Sequence, residues 1–351
     1  MNDAKKPISL KELARLLELS PATVSRIING RAADYRIASG TEKRVLHAAA
    51  QHGYTANVVA RSLRDGRSYT IGIIVPEISE GYSTSVLSGA EDALLGDGFF
   101  YWVVSHRHRA ELLESYPRML LSRSVEGIIS IDTHIEQPLP VPVVAVSGHA
   151  RREGVISIRL NHLKAAELGL SHLQQLGHKC IAFIKGQPFS SDTNHRWRAI
   201  VETAKAMNIE MNPRLTFQML SRDAGPGGGH EATVQFLRTG LRFTAIFAFN
   251  DISAIGAIVA LHEAGLRVPK DVSVLGFDDV FAASTNNPPL TTIQQPLREM
   301  GRAAASTLLG MIRDDLQRPW PSAITVQPSL VVRRSTGHAS TSRGIATPSL
   351  T

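Results

Sequence analysis

Most of the chain alternates between short apolar runs and longer amphipathic segments. The apolar runs predict strands at residues 70–75, 99–104, 127–131, 141–146, 180–184, 245–249 and 272–276. Helices are predicted between them at residues 84–95, 110–121, 162–176, 195–207, 229–239, 251–264 and 296–315. Continuously apolar strands are typical of sheets that are covered on both faces. The alternation therefore predicts an α/β core of two lobes, each a doubly wound parallel sheet with right-handed crossovers.

Composition limits the class of protein. A chain of 351 residues with 43% hydrophobic and 20% charged residues is long enough for two or three globular domains. It has no apolar run of about twenty residues, and its N-terminus has no apolar signal-peptide core, so a cytoplasmic protein without a membrane segment is expected. Cys180 is the only cysteine. A single cysteine excludes an internal disulfide, and we interpret Cys180 as a packing residue in a buried strand.

A pair of helices precedes the core. Ser20 can cap a helix that has Pro21 at its first position and Gly30 at its end. Upstream, Ser9 and Glu12 form the pattern of a capping box at the start of a companion helix. Two helices joined so tightly predict a helix-turn-helix, whose second helix enters the major groove of DNA. The alternative is a helical hairpin buried in a core.

The charge is concentrated at the ends of the chain. Residues 1–70 contain 12 Lys and Arg against 6 Asp and Glu, residues 71–332 contain 23 against 25, and residues 333–351 contain 3 against 0. A basic N-terminal domain on a near-neutral core fits a protein that binds the phosphate backbone of DNA. A third helix is predicted at residues 41–53, followed by a short, marginal helix at residues 58–63.

Several motifs together carry a resemblance to a known family. The run from Ile8 to Gly30, then H-G-Y, N-V-V-A-R-S-L and I-G-I-I-V-P, resembles the lactose and galactose repressor family of bacterial transcription factors. The resemblance implies a homodimeric repressor, localised to the cytoplasm and nucleoid, with an all-α helix-turn-helix headpiece and a hinge helix that folds on DNA. It also implies a core like that of periplasmic sugar-binding proteins, which holds a small-molecule effector without a cofactor or metal.

The resemblance also implies domain boundaries. The headpiece would span 1–56, the hinge helix and linker 57–68, and the core 69–335. Within the core, the first lobe would comprise 69–160 and 295–320, and the second 161–291 and 324–334. Residues 336–351 are small and polar, which predicts a disordered tail. The tail lacks a leucine heptad, so we expect no coiled-coil tetramer.

The predicted DNA contacts lie on the second helix and in the hinge. They are Ser20, Pro21, Ala22, Thr23, Ser25, Arg26, Asn29, Asn57, Ala60 and Leu63. The guanidinium of Arg26 can bond O6 and N7 of one guanine, whereas Pro21 and Ala22 offer only carbon contacts at positions that face bases in the family. Thr23, Ser25 and Asn29 suit phosphates. The alternative for Arg26 is an ion pair with Glu18 or Glu12.

The hinge pattern of the family places a small residue and a leucine in the minor groove, which Ala60 and Leu63 match. An apolar side chain inserted there unstacks and bends the duplex. The chain also departs from the family pattern. The loop at residues 31–39 is longer, Ala38 replaces a capping serine, and Ala56 replaces a proline.

The predicted effector contacts lie in the core. They are Tyr82, Asn161, Arg196, Trp197, Asn250, Asp251 and Asp278, and the resemblance implies effector contacts for four of them, Arg196, Asn250, Asp251 and Asp278, because they match effector positions of the family. Ligands of open α/β sheets bind beyond the carboxyl ends of the strands, and Arg and carboxylate pairs can bond vicinal hydroxyls, which favours a sugar. Asp251 can equally cap a helix. Asn161 stands where sugar-binding members carry Asp, which leaves a phosphorylated, acidic or nucleobase-like effector open.

Two other classes of protein share features with this chain. A two-lobed solute receptor for transport would use the same core, but the missing signal peptide and the basic headpiece argue against it. An enzyme is disfavoured because no metal-protease, nucleophile-elbow or Walker motif is present. The Gly-rich run 225–229 lacks the Lys of a phosphate loop and is interpreted as a flexible connection.

Overall fold

The computed structural model describes residues 8–54, 66–78, 81–147, 154–220, 225–313 and 319–340. The chain divides into two compact units, Met1–Ser68 and Tyr69–Thr351. No helix in these described ranges is long and apolar enough to cross a membrane.

The first unit contains three short helices: α1 (Leu10–Leu16), α2 (Pro21–Ile28) and α3 (Ser39–Gln51). Its buried core consists of Leu13, Ala14, Val24, Ile27, Ala32, Val45, Ala48 and Ala49. The predicted capping box at Ser9 is present, and Gly30 ends α2 with a φ of 69°. Helix α3 begins earlier than expected, and Ala38 at its N-cap makes no side-chain hydrogen bond.

The second unit contains two sheets of six strands each. The first sheet has the order β11–β5–β4–β3–β1–β2. Its strands are β1 (Thr70–Val75), β2 (Phe100–Ser105), β3 (Gly127–Ile131), β4 (Val143–Val146), β5 (Val155–Leu160) and β11 (Ala323–Val326). All of its pairings are parallel; Ile73 of β1, for example, lies between Val103 and Ile129.

Helices cover both faces of the first sheet. Buried side chains of α4 (Gly81–Gly96) and α11 (Leu297–Arg313) pack on one face, and α5 (Ala110–Ser122) packs on the other. The two helices on the first face approach very closely. A Cβ atom on Gly89 of α4 would lie 1.8 Å from the carbonyl oxygen of Arg298 in α11. Only glycine permits this contact.

The second sheet has the order β12–β10–β9–β8–β6–β7. Its strands are β6 (Ile181–Lys185), β7 (Thr216–Gln218), β8 (Ala245–Phe247), β9 (Ser273–Asp278), β10 (Thr291–Gln294) and β12 (Ser329–Val331). The pairings are parallel except that β12 runs antiparallel to β10.

Four helices cover the second sheet. Buried residues of α6 (His162–Gln175) and α7 (Ser191–Ala206) pack on one face, and those of α8 (Gly227–Arg238) and α9 (Asp251–Glu263) pack on the other. A short helix, α10 (Phe281–Thr285), follows β9. Both predicted lobes therefore form with the expected layered architecture.

The predicted lobe boundary near the C-terminus was partly wrong. Residues 324–334 were assigned to the second lobe, but β11 pairs with β5 of the first sheet, with Ala323 opposite Ser157. Only β12 joins the second sheet. The chain therefore crosses between the lobes after Leu160, after Gln294 and after Val326.

The glycine run 225–229 is not a flexible connection, because α8 begins at Gly227. A Cβ atom on Gly229 would lie 1.9 Å from the carbonyl oxygen of Ser253, so the glycine lets α8 and α9 pack closely. The interpretation of Cys180 was also wrong, because this residue is exposed just before β6.

The predicted disordered tail is in part bound to the second lobe. Ser335 is fully buried, its hydroxyl accepts from the Thr291 amide at 2.8 Å, and the Ala339 amide donates to the Leu176 carbonyl at 2.8 Å. A ring nitrogen of buried His178 lies 3.0 Å from the Gly337 carbonyl oxygen. Polar side chains thus order residues 336–340, whereas residues 341–351 lie outside the described part of the chain.

Candidate functional site

The start of α2 uses two of the predicted DNA-contacting side chains to cap the helix. The Ser20 hydroxyl accepts from the Thr23 amide at 3.0 Å and lies 2.8 Å from the Thr23 hydroxyl. Pro21 occupies the first helical position, where no amide donor is needed. Ser20 and Thr23 therefore fix the start of the helix and have less hydrogen-bonding capacity left for a partner.

Two further polar residues on α2 are bonded to each other. The Asn29 side-chain amide donates to the Ser25 carbonyl oxygen at 2.6 Å and reaches the Ser25 hydroxyl at 3.3 Å. On the same face, Arg26 is exposed, as are Pro21 and Ala22. We call these residues, Pro21, Ala22, Ser25, Arg26 and Asn29, the outer face of α2. This face presents the long hydrogen-bond donor side chain of Arg26 beside the small apolar surfaces of Pro21 and Ala22.

Arg26 has a partner that the sequence did not suggest. Its guanidinium carbon lies 3.8 Å from the ring centroid of Tyr35, a residue of the long loop after α2. Glu12, one of the acidic partners considered for it, accepts from the Ser9 amide in the capping box instead. Asn57, Ala60 and Leu63, the predicted hinge contacts, lie outside the described residues.

The second candidate site is a cleft between the two lobes. Four of the predicted effector residues line it: Tyr82, Arg196, Asn250 and Asp278. Tyr82 comes from α4 of the first lobe, whereas the other three come from the second lobe, where Asp278 ends β9 and Asn250 caps α9. The cleft encloses about 780 Å³ including its open mouth. This is within the range of small-molecule sites, and the cleft lies at the carboxyl ends of the strands as expected.

Arg196 forms the centre of the second-lobe wall. Its guanidinium carbon lies 3.7 Å from the ring centroid of Phe277 and 4.3 Å from that of Phe249. It donates to the Phe249 carbonyl oxygen and to the Asp192 carboxylate, the latter at 3.3 Å, and it lies 3.7 Å from the Asp278 carboxylate. Arg196 is only 4% exposed. Most of its charge is therefore neutralised inside the wall of the cleft.

Polar contacts join the lobes at the edge of the cleft. Asp132, which follows β3 in the first lobe, accepts from the Ser191 amide at 2.9 Å and from the Ser191 hydroxyl at 2.6 Å. The Ser190 hydroxyl donates to the same carboxylate oxygen at 3.4 Å, and the Ser191 hydroxyl also reaches the carbonyl oxygen of Ser147. We call these four residues the interlobe bridge. It ties the start of α7 to the first lobe.

The cleft is acidic, and burial opposes ionisation of its carboxyl groups. Burial, partly offset by Arg196, raises the pKa of Asp278 to about 7. Burial and the nearby charge of Asp192 raise the pKa of Asp132 to about 6, and burial also raises that of Tyr82. Glu77, Asp132, Asp192 and Asp278 line the cleft with one arginine. Its walls therefore favour donors and cations over anions.

Three predicted effector residues lie away from the cleft. Asn161 caps α6 and bonds Gln327 at 3.1 Å beside a lobe crossing. Trp197 packs edge-on against Phe183 in the core of the second lobe, with ring centroids 5.9 Å apart. Neither residue lines the cleft; Trp197 directly follows Arg196, which does, and adjacent residues of a helix point in different directions.

Asp251 is also outside the cleft, and it is fully buried. Its carboxylate accepts from the Val280 amide at 2.8 Å and from the Thr292 hydroxyl at 2.5 Å. Burial, with the nearby charge of Asp278, raises its pKa to about 8. Asp251 therefore holds the loop after β9 and does not cap α9, which is the role of Asn250.

Sequence reasoning missed Asp132, Ser190, Asp192 and Phe249, which line the cleft, and the two other serines of the interlobe bridge. Asp132 could have been found, because it follows a buried, mostly apolar strand at the edge where ligands bind. The described residues contain no cluster of three or more His, Cys, Asp or Glu side chains that could hold a metal ion.

Comparison with known families finds two matches along the chain. Residues 9–57 match the model of bacterial regulatory proteins of the lacI family, and residues 170–336 match that of a periplasmic binding protein-like domain. The two matches coincide with the helical unit and with most of the second unit.

Similar proteins extend over nearly the whole chain. The HTH-type transcriptional repressor PurR of Aliivibrio fischeri is 31% identical over 338 residues, which cover 93% of this chain and 98% of that protein. PurR of Haemophilus influenzae is 29% identical over 339 residues, with the same coverage of both chains.

Two solved structures extend the comparison. The lac repressor dimer bound to operator and the anti-inducer ONPF has a TM-score of 0.80 at 27% identity and covers 95% of this chain and 100% of its own. The complex of the transcriptional regulator CelR with cellobiose has a TM-score of 0.68 at 26% identity, covering 93% and 99%.

Proposed function

The chain belongs to the lacI family of bacterial regulatory proteins, and on this premise we propose that it binds a palindromic operator as a homodimer under control of a ligand in the interlobe cleft. Members of this family are DNA-binding transcriptional repressors with an effector-binding core, not enzymes. We also propose that the protein acts on the nucleoid in the cytoplasm.

The outer face of α2 is the observation that carries the DNA-binding part of the proposal. Capping and internal hydrogen bonds occupy Ser20, Thr23, Ser25 and Asn29, whereas the exposed guanidinium of Arg26 keeps its planar edge available. Such an edge suits O6 and N7 of one guanine in the major groove. Arg26 is accordingly the main base contact, with Pro21 and Ala22 giving carbon contacts beside it.

In the hinge, we propose the DNA contacts that the family resemblance implies. Ala60 and Leu63 would enter the minor groove and Asn57 would start the hinge helix, and an operator-binding assay on the Leu63→Ala variant tests this. An unchanged specific affinity would contradict the hinge role.

Exposed aromatic residues support the homodimer. Strand β2 lies at the edge of the first sheet, where Phe100 is 58% exposed and Trp102 is 45% exposed, with ring centroids 5.4 Å apart. Exposed aromatic patches on an edge strand mark interaction surfaces, and a second copy of the chain can cover both of them symmetrically. A two-fold dimer in turn requires an operator of two inverted half-sites.

The acidic cleft supports an uncharged effector that is rich in hydrogen-bond donors, such as a sugar or a nucleobase-like ring. Asp132 and Asp278 can accept from hydroxyl or N–H groups, whereas a phosphate would meet four acidic side chains with Arg196 already engaged. The cellobiose bound by CelR is an uncharged sugar of this type. A phosphorylated or acidic effector is therefore disfavoured.

The interlobe bridge supports a mechanism in which the ligand controls closure of the lobes. A ligand that bonds Asp132 competes directly with Ser190 and Ser191, which come from the opposite lobe. Closure of this cleft would change how the two headpieces are presented to DNA. Couplings of this kind amount to about 1–3 kcal/mol.

The DNA-binding proposal is tested with the full-length protein and a pool of genomic fragments. We expect enrichment of an inverted repeat, and Arg26→Ala should lower discrimination by about five- to 150-fold per half-site, because a bidentate base contact is lost. Arg15→Ala is the matched control, since it removes the same charge from an exposed position on α1. It should weaken binding to all sequences equally and slightly. Enrichment of no inverted repeat, with or without a metabolite extract, would contradict the proposal.

The effector class is tested by thermal shift on the full-length protein. Uncharged sugars and nucleobases, sugar phosphates and organic acids are compared at equal concentration, because a ligand of the native state raises its unfolding temperature. We expect an uncharged compound to raise the unfolding temperature of the wild type. The Asp278→Asn variant should lose this stabilisation. The control variant Asp271→Asn, at a residue far more exposed to solvent, should keep it. Stabilisation by phosphorylated or acidic compounds alone would contradict this assignment.

A further inference from the structure

The long loop after α2 is an ordered structure whose first residues are hydrogen-bonded to that helix. The Arg31 amide donates to the Arg26 carbonyl oxygen and the Gly30 amide to the Ile27 carbonyl oxygen, both at 2.9 Å. These are the two bonds of a Schellman motif, and Gly30 supplies its left-handed residue.

A second turn follows at once and completes the loop. The Ile37 amide donates to the carbonyl oxygen of Ala32 at 2.9 Å. Ala32 is buried in the core of the first unit, and Ile37 packs against that core. Because both ends of this turn are anchored, the residues between them have a defined position on the surface.

The loop places Tyr35 against the side chain of Arg26. Tyr35 is 46% exposed, and its ring centroid lies 3.8 Å from the guanidinium carbon. At this distance the face of the guanidinium contacts the ring, which leaves the N–H donors in the guanidinium plane free. An ion pair with a carboxylate would have occupied those donors.

We propose that Tyr35 is a positioning residue that holds the Arg26 guanidinium so that its donor edge faces the operator base pair. This inference rests on the proposed operator binding by α2. A free arginine side chain populates many rotamers and must be ordered when it bonds a base. Stacking on Tyr35 orders it beforehand, so that the specific complex loses less side-chain entropy. The additional loop residues thus contribute to sequence discrimination.

The test uses the operator that the full-length wild-type protein selects from a pool of random duplexes. Binding to this operator and to nonspecific duplex is measured at one salt concentration for Tyr35→Ala, Tyr35→Phe, Arg26→Ala and the double variant Arg26→Ala/Tyr35→Ala. Arg31→Ala is the matched control, because it removes only the exposed ion pair with Asp34 in the same loop. Circular dichroism checks that each variant keeps its helices.

We expect Tyr35→Ala to weaken operator binding about two- to five-fold per headpiece, and about four- to 25-fold for two headpieces on one site. Nonspecific binding should not change. The loss of discrimination should occur at the base pair where Arg26→Ala loses its preference. Tyr35→Phe should bind like the wild type because it keeps the ring, and in the Arg26→Ala background Tyr35→Ala should have no further effect.

Several results would overturn the inference. Tighter operator binding by Tyr35→Ala would mean that the ring masks Arg26. An equal loss on operator and nonspecific DNA, or a loss with Tyr35→Phe, would mean that the tyrosine hydroxyl contacts the backbone instead. If Arg26→Ala loses base preference and Tyr35→Ala does not, only this inference fails. If the wild type selects no sequence, the proposed function fails as well.

Discussion

The buried carboxyl of Asp251 predicts how the stability of the core changes with pH. Its pKa is about 8 in the folded protein, against an ordinary value of 3.8. Between pH 5 and pH 7 the folded chain therefore keeps a proton that the unfolded chain has lost. The free energy of unfolding should fall by about 1.4 kcal/mol per pH unit from this group alone as the pH rises. Over two pH units, this amounts to about 2.7 kcal/mol.

Asp251→Asn removes this proton without removing the contacts. The asparagine oxygen can accept from the Val280 amide, and its amide group can donate to the Thr292 hydroxyl, whose hydrogen can rotate. The variant should therefore have nearly wild-type stability at pH 5 and be more stable than the wild type by about 2.7 kcal/mol at pH 7. The difference in the free energy of unfolding between the variant and the wild type should grow steadily from pH 5 to pH 7.

The assay is urea unfolding of the full-length protein at pH 5, 6 and 7, followed by circular dichroism and tryptophan fluorescence. Asp271→Asn is the control, because hydrogen bonds from Arg267 lower the pKa of Asp271 below its ordinary value. Asp271 is ionised in both states above pH 5, so its removal should change stability by the same amount at every pH. A stability difference between Asp251→Asn and the wild type that does not change with pH would refute the argument.

Three further experiments test other parts of the fold. Ala38→Ser should stabilise the first unit by about 1 kcal/mol, because α3 gains the side-chain cap that it lacks, and thermal unfolding of the helices by circular dichroism will measure this. In α4, Gly89→Ala should destabilise the core by about 3 kcal/mol or more, because its Cβ would collide with the Arg298 carbonyl. The matched Gly96→Ala, which has open space, should stabilise it by about 0.5–1 kcal/mol, and urea unfolding distinguishes the two. Phe100→Ser should raise the dimer dissociation constant at least about thirty-fold in sedimentation equilibrium if this residue is an aromatic hot spot, and an unchanged constant would exclude β2 from the interface.

The sequence predicted the parts of the fold that depend on continuous apolar patterns. Strands β1 and β3 lie where expected, because each is fully buried and reads as a mostly apolar run. Strands such as β10 and β11 were missed because they are short and rich in threonine or mixed residues. Thr291 and Thr292 of β10 are fully buried and bonded to partners far along the chain, which no local pattern reveals.

Whether a residue's partners lie near it or far from it in the sequence also explains which site residues could be predicted. The caps of α1 and α2 were predictable because their partners lie three residues away. Arg196 and Asp278, which stand at effector positions of the resembled family, line the cleft, whereas Trp197 does not, since a helix turns neighbouring residues by about 100° and separates their faces. Tyr35 was missed because its partner depends on how the loop returns to α2. The interlobe bridge was missed because its residues come from different lobes.

The strand order also constrains the sequence of events during synthesis. Neither sheet is complete until residues beyond 322 have left the ribosome, because β11 closes one sheet and β12 closes the other. The contacts within the three-helix unit, in contrast, lie inside the first sixty or so residues. Domains generally fold as units from the N-terminus during translation. A nascent chain will therefore carry a finished operator-binding unit for most of its elongation, while both halves of the sensor still expose an incomplete sheet edge to chaperones.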